Sequence, residues 1–184
     1  MDSETPQPYR RAAFLQILLG AIIVTIDISL NGFDLLLDLV GYALIFFALR
    51  QLEVDDVSFR RAKACTLAGA LVSLPLIAPS MRTALPGQLL GIVETAFQLL
   101  IVWYLCTGIV RLAQACGNVP LSNFAAMDRA LFTASGIATI GLGILVLSTH
   151  AQFPAFVAVP LVVIDLFAAL LIALLLWKAG AEIA

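Results

Sequence analysis

Histidine is almost missing from this chain of 184 residues, which holds a single one, His150. That excludes bis-histidine haem ligation and a multi-histidine metal site within one chain. Cysteine is scarce too: Cys65, Cys106 and Cys116 show neither C-x-x-C nor zinc-ligand spacing, so free thiols are expected and no cofactor or metal is implied. Charged residues make up only 12% of the chain, and a net charge of -2 provides no basic field for nucleic acid. No glycine-rich phosphate loop and no nucleophile elbow appears. Asp27 and Asp165 lie in neither the Tyr-Asp nor the Gly-x-Gly-Asp context of intramembrane aspartyl proteases. Nothing therefore marks the chain as an enzyme.

What is present in quantity is apolar surface. Hydrophobic residues make up 62% of the chain, against about 45–50% in ordinary soluble domains, too many for a globule to cover with polar groups. The apolar runs read as six membrane spans near 12–30, 33–50, 62–79, 87–110, 130–149 and 155–177. The expected fold is thus an all-α, six-span transmembrane bundle in one integral membrane domain, 1–184. Two carboxylates early in the second run, Asp34 and Asp38, leave a re-entrant or partly interfacial segment as its alternative. Arg10 and Arg11 precede an apolar run without a small-residue cleavage pattern, so the first span reads as a retained signal anchor.

Threading these spans alternately puts Arg10, Arg11, Arg50, Arg60, Arg61, Lys63, Arg111, Arg129 and Lys178 on one side and Arg82 alone on the other. The positive-inside rule then places both termini in the cytoplasm, with the cell membrane, in a bacterium the inner membrane, as the location. Between spans two and three, Gln51 to Lys63 reads as a solvated helical extension in which Asp56 and Arg60 have i,i+4 spacing. Between spans four and five, Gly117 and Pro120 stop a helix, and Leu121, Phe124 and Ala125 have the spacing of a short helix lying on the membrane surface.

The odd-numbered spans align at Arg11-Ala12, Arg61-Ala62 and Arg129-Ala130, and the even-numbered ones pair an acid with an inner base: Asp38 with Arg50, Glu94 with Arg111, Asp165 with Lys178. Three tandem helical hairpins would produce this pattern, as would topology alone. The first hairpin carries Asn31-Gly32-Phe33-Asp34, then Asp38, Gly41-Tyr42 and Leu49-Arg50. It resembles the first hairpin of small uncharacterised multi-pass bacterial membrane proteins, over about twenty residues, with Leu37 where that pattern has proline. The resemblance implies a bacterial origin and marks Asp34, Asp38, Gly41 and Tyr42; it implies no activity.

Five acids fall inside or at the outer ends of the spans: Asp27, Asp34, Asp38, Glu94 and Asp165. Each costs on the order of 2.5–3.5 kcal/mol at such depth, so all should face protein or water and converge. Gly91, Glu94, Thr95 and Gln98 form a polar stripe on span four. Asp34, Asp38 and Gly41 or Tyr42 share a face of span two, and Gln16, Gly20 and Asp27 are compatible with one side of span one. Asp38 and Glu94 are expected at similar depth as a coupled pair. Cys65, Gly69 and Ser73, and Ser135, Thr139 and Gly143, read as small-residue packing stripes.

Acids without bases suit a proton or a cation. Asp34, Asp38, Glu94, Asp165, Asp27, Gln98, Thr95 and Tyr42 are therefore the candidate site of a small proton- or cation-linked transporter or channel. The alternative is a non-catalytic membrane partner or assembly protein whose acids only join helices, or meet a partner protein or a second copy. Individually hydrogen-bonded, scattered acids would favour that alternative.

Overall fold

The computed structural model describes residues 8–25, 34–77, 85–149 and 155–183. Six helices follow one another: α1 (Pro8–Thr25), α2 (Asp34–Leu52), α3 (Val57–Ser73), α4 (Leu85–Ala115), α5 (Val119–Thr149) and α6 (Ala155–Glu182). A 3₁₀ turn, Leu74–Ile77, prolongs α3; it contains Pro75, which has no N–H to continue the α-helical ladder. No strand occurs among the described residues. The all-α expectation holds. Three stretches are long and apolar enough to cross a membrane, Gln88–Ala115 in α4, Val119–Thr149 in α5 and Val163–Glu182 in α6. The earlier helices are shorter, with 18, 19 and 17 residues, about 26–29 Å at 1.5 Å per residue.

The surface is apolar. Leu71, Ile137, Ile144, Leu166, Phe167, Leu170 and Trp177 are among many large side chains left exposed, the reverse of a water-facing globule. Each helix packs on the next in the chain, and α6 packs back on α1, closing a ring of six. Its core sits at the end that carries the basic residues. Phe14, Leu49, Leu52, Phe59, Ile109, Leu121 and Leu176, at least one from each helix, are all buried there in one cluster. Toward the other end burial thins, and no α5 residue beyond Gly136 is buried.

Small residues set the closest helix approach. A Cβ on Gly20 would stand 2.7 Å from the carbonyl oxygen of Gly41, and one on Gly41 would stand 2.8 Å from that of Gly20. Here α1 and α2 meet backbone to backbone, as small residues at membrane-helix interfaces allow.

The two links between helices depart from expectation. Residues 51–52 and 57–63 are helical as expected, but a tight turn at 53–56 breaks the extension between α2 and α3, and Asp56 does not serve Arg60. Asp56 caps α3, accepting from the Ser58 N–H at 2.6 Å, and accepts from Arg111 of α4 at 3.3 Å. Its extended backbone frees the side chain for that role. Burial pushes the Asp56 carboxyl up, but the Ser58 bonds and the Arg111 guanidinium outweigh it and hold it below the usual carboxylate range. Asp55 accepts from both Nε and Nη2 of Arg10, at 3.2 and 3.0 Å, and from the Tyr9 hydroxyl at 3.0 Å. Glu53 pairs with Lys63. Arg10 also donates to the carbonyl of Ile183 at 3.4 Å, so one guanidinium ties α1 to the turn and to the residue that follows α6. Asp55→Ala should cost about 2 kcal/mol, below the 3–5 of fully buried pairs, and this loss can be read from thermal melting in detergent beside Arg50→Ala, whose exposed side chain should not matter.

The second link shrinks to a three-residue turn. Gly117, at φ 72°, reverses the chain, the Asn118 N–H closes on the Ala113 carbonyl at 2.8 Å, and the Asn118 side chain accepts from the Leu121 N–H at 3.1 Å. Pro120 therefore opens α5 instead of stopping a helix, because proline is tolerated in a first turn. Leu121 and Ala125 do not lie on a membrane surface; they are 2% and 0% exposed in the core. The three Arg-Ala pairs do not take equivalent places either, since Ala62 is buried while Ala12 and Ala130 are exposed.

Candidate functional site: three carboxylates in three settings

Tyr42, buried on α2, donates its hydroxyl to Glu94 Oε1 at 3.3 Å and accepts from Gln98 Nε2 at 3.3 Å. Glu94 and Gln98 stand one turn apart on α4 and so meet the same phenol. Gly69 of α3 faces the ring, and a Cβ there would lie in ordinary van der Waals contact, 3.5 Å from Tyr42 Cε1. Three of the expected residues are thereby brought together. Thr95 is not among them. Its hydroxyl donates to the Gly91 carbonyl of its own helix at 2.9 Å, the local bond that threonine makes readily in helices.

Asp165 of α6 is held on the other side of α4, by α5. Its Oδ1 accepts from Ser135 Oγ at 2.8 Å and its Oδ2 from Thr139 Oγ1 at 3.3 Å. The stripe read as packing is in part a donor pair, because residues four apart on one helix can reach both oxygens of a single carboxylate. Glu94 and Asp165 are thus satisfied by different helix pairs. Asp34 and Asp38 begin α2, but their side chains, all of Asp27 and His150 lie outside the described residues. So does the expected coupling of Asp38 with Glu94.

A third carboxylate was not anticipated. Asp128 is 2% exposed, and neither of its oxygens has a hydrogen-bond partner among the described residues. Arg129, next in the chain, turns away: it donates to Thr107 Oγ1 at 3.1 Å and rests 4.8 Å over the ring of Trp103. Adjacent residues on a helix do not face one another, so that guanidinium gives the acid no help. An ionised carboxylate so placed is very costly, and even the neutral acid leaves hydrogen-bonding capacity unused at about 1–3 kcal/mol.

Position in the fold explains how the residue was missed. With α5 starting at Val119, Leu121, Ala125, Asp128 and Ser135 recur at i, i+4, i+7 and i+14 and are all buried. That periodicity was present in the sequence, hidden by reading Pro120 as a helix stop and Arg129 as the start of a span. Seven residues of helix turn through about 700°, so Asp128 and Ser135 share a face some 10 Å apart, and Thr139 lies one turn further on it. Among the described residues no three His, Cys, Asp or Glu gather as a metal site; the groups around Glu94 and Asp165 are hydroxyls and an amide, which donate and accept hydrogen bonds.

Comparison with protein-family models, with curated proteins and with solved structures finds no match to this chain.

Proposed function

We propose that this chain is a small integral membrane protein that passes protons, or a small cation, by means of intramembrane carboxylates. In this reading all six helices cross the bilayer as three hairpins, with both termini and the basic end on the cytoplasmic side of a bacterial inner membrane. The exposed apolar girdle and the nine bases gathered at one end support it. The observation that carries the function is Asp128. A carboxylate that only joins helices makes hydrogen bonds; this one makes none among the described residues, so it contributes nothing to cohesion. It stands on the same α5 face as Ser135 and Thr139, the two donors that hold Asp165. One face of α5 therefore carries an unsatisfied acid, Asp128, and the two donors that satisfy a second acid, Asp165 of α6, so that one acid is able to take up what the other releases. Tyr42, Glu94 and Gln98 provide a further polar group between α2 and α4.

The test is flux in proteoliposomes under an imposed pH gradient, with Na⁺, K⁺ and divalent gradients as separate arms. Asp128→Asn and Asp165→Asn should each remove the wild-type signal while the protein still inserts and melts cooperatively. No wild-type flux with any of these ions would end the transport reading.

One observation favours a second reading, that of a non-catalytic partner or assembly protein. Glu94 and Asp165 are each held by neighbouring hydroxyls in separate places, as acids that merely join helices would be. Capture of a stoichiometric membrane partner or a second copy from mild detergent, with no flux, would establish it.

A further inference from the structure

Several bases at the core end of the ring have defined partners, and Lys178 and Lys63 rest over Phe124 and Phe46 at 5.4 and 5.8 Å. Arg10, Lys63 and Arg111 each find a carboxylate. Arg61 and Arg129 do not, among the described residues. Instead, Arg129 lies 4.8 Å over the ring of Trp103 and Arg61 lies 5.9 Å over the ring of Tyr104. These aromatic residues are neighbours on α4, with Arg61 reaching them from α3 and Arg129 from α5. Two guanidinium groups therefore flank one helix at one level. Trp103 is 39% exposed, and Thr107, one turn on, takes a single N–H of Arg129 at 3.1 Å. Among the described residues the rest of that guanidinium fork has no protein acceptor, although a carboxylate, Asp128, sits next to it in the chain. Stacking on an aromatic face holds an arginine in place without neutralising it.

We propose that Arg61 and Arg129, backed by Tyr104 and Trp103, bind the phosphodiester headgroup of an anionic phospholipid against α4. The proposal rests on the membrane-embedded reading above and is independent of ion transport. Guanidinium groups match phosphate oxygens in pairs, Trp and Tyr belong at headgroup level, and the exposed Leu100 and Trp103 on the same side of α4 would meet the acyl chains. An anionic headgroup near the surface is favoured by about fivefold per arginine, so about twenty-five-fold for the pair.

The experiment uses the full-length protein in detergent micelles with equal amounts of phosphatidylglycerol and phosphatidylcholine, the retained lipids being counted by native mass spectrometry. Preferential retention of one phosphatidylglycerol by about twenty-five-fold is expected, falling by a factor of about five in Arg61→Gln and in Arg129→Gln and vanishing in the double variant. Arg129→Lys, which keeps the charge but loses the fork, should fall between. Arg50→Gln, at an exposed base away from α4, should behave as wild type. Equal retention of the two lipids by the wild type, or undiminished preference in the double variant, overturns the site. Displacement of the lipid by millimolar inorganic phosphate also overturns it, showing a soluble anion to be the occupant. Flotation with liposomes separates the two readings: wild-type protein that stays at the bottom of the gradient refutes embedding itself, whereas protein that floats yet shows no lipid preference refutes only the site.

Discussion

Gly41→Val is expected to leave little cooperatively folded protein, and Gly41→Ala to lower the melting temperature clearly, while Gly91→Ala does no harm. The reason is what each new Cβ meets. At Gly41 it would stand 2.8 Å from a backbone carbonyl oxygen and 2.6 Å from Val24 Cγ2. A valine could rotate away, but the Gly20 carbonyl cannot, so α1 and α2 must separate along their whole contact. Overpacking of this kind costs about 1–3 kcal/mol for one methyl, and more when backbone must move. Separation would also reach the α1–α6 closure of the ring. At Gly91 nothing lies within 4 Å, and exchanging a helical glycine for alanine gains about 0.5–1 kcal/mol by restricting the unfolded chain. Thermal melting in detergent orders the three variants. Equal stability of Gly41→Ala and wild type would show that the two helices do not meet backbone to backbone.

Asp128→Leu is the second large effect, and its sign is unusual. Removal of a buried acid is ordinarily destabilising, because its partners are left without an acceptor. Asp128 has no partner to orphan, so replacing it with an apolar side chain removes a standing penalty of about 1–3 kcal/mol. The bulk of leucine offsets part of this, and a net gain of about 1 kcal/mol is expected. Asp165→Leu should do the opposite, since it strands the hydroxyls of Ser135 and Thr139, at a cost of about 1–2 kcal/mol. Melting of both variants beside wild type checks the contrast, and destabilisation by Asp128→Leu equal to that by Asp165→Leu would show that Asp128 has a structural partner.

The turn between α4 and α5 shows how closely sequence and structure can agree on place and still differ on consequence. Gly117 marked a chain reversal, and it makes one at positive φ. Pro120 was given the wrong sense, because the same fixed φ that breaks a helix interior favours a helix start. From that one reading came the supposed surface helix and the loss of Asp128 from the candidate site. The polar stripe of α4 was legible, but not that Glu94 and Gln98 would meet Tyr42 while Thr95 turned back on its own helix.

The chain alone determined its helical class, its apolar exterior, the clustering of bases at one end and the scarcity of metal-binding residues, since these follow from composition and local pattern. Only the tertiary structure decided which acid meets which donor, that α6 closes on α1, that Gly20 meets Gly41, and that Asp128 is buried without a partner. The physical reason is that a nearly uniform apolar helix has little contrast between its lipid face and its protein face. Helical spacing then tells which residues stand together on a helix. It leaves open the direction that face is turned, and that is settled by the packing of residues far apart in the chain, such as Tyr42 on Glu94 and Ser135 on Asp165.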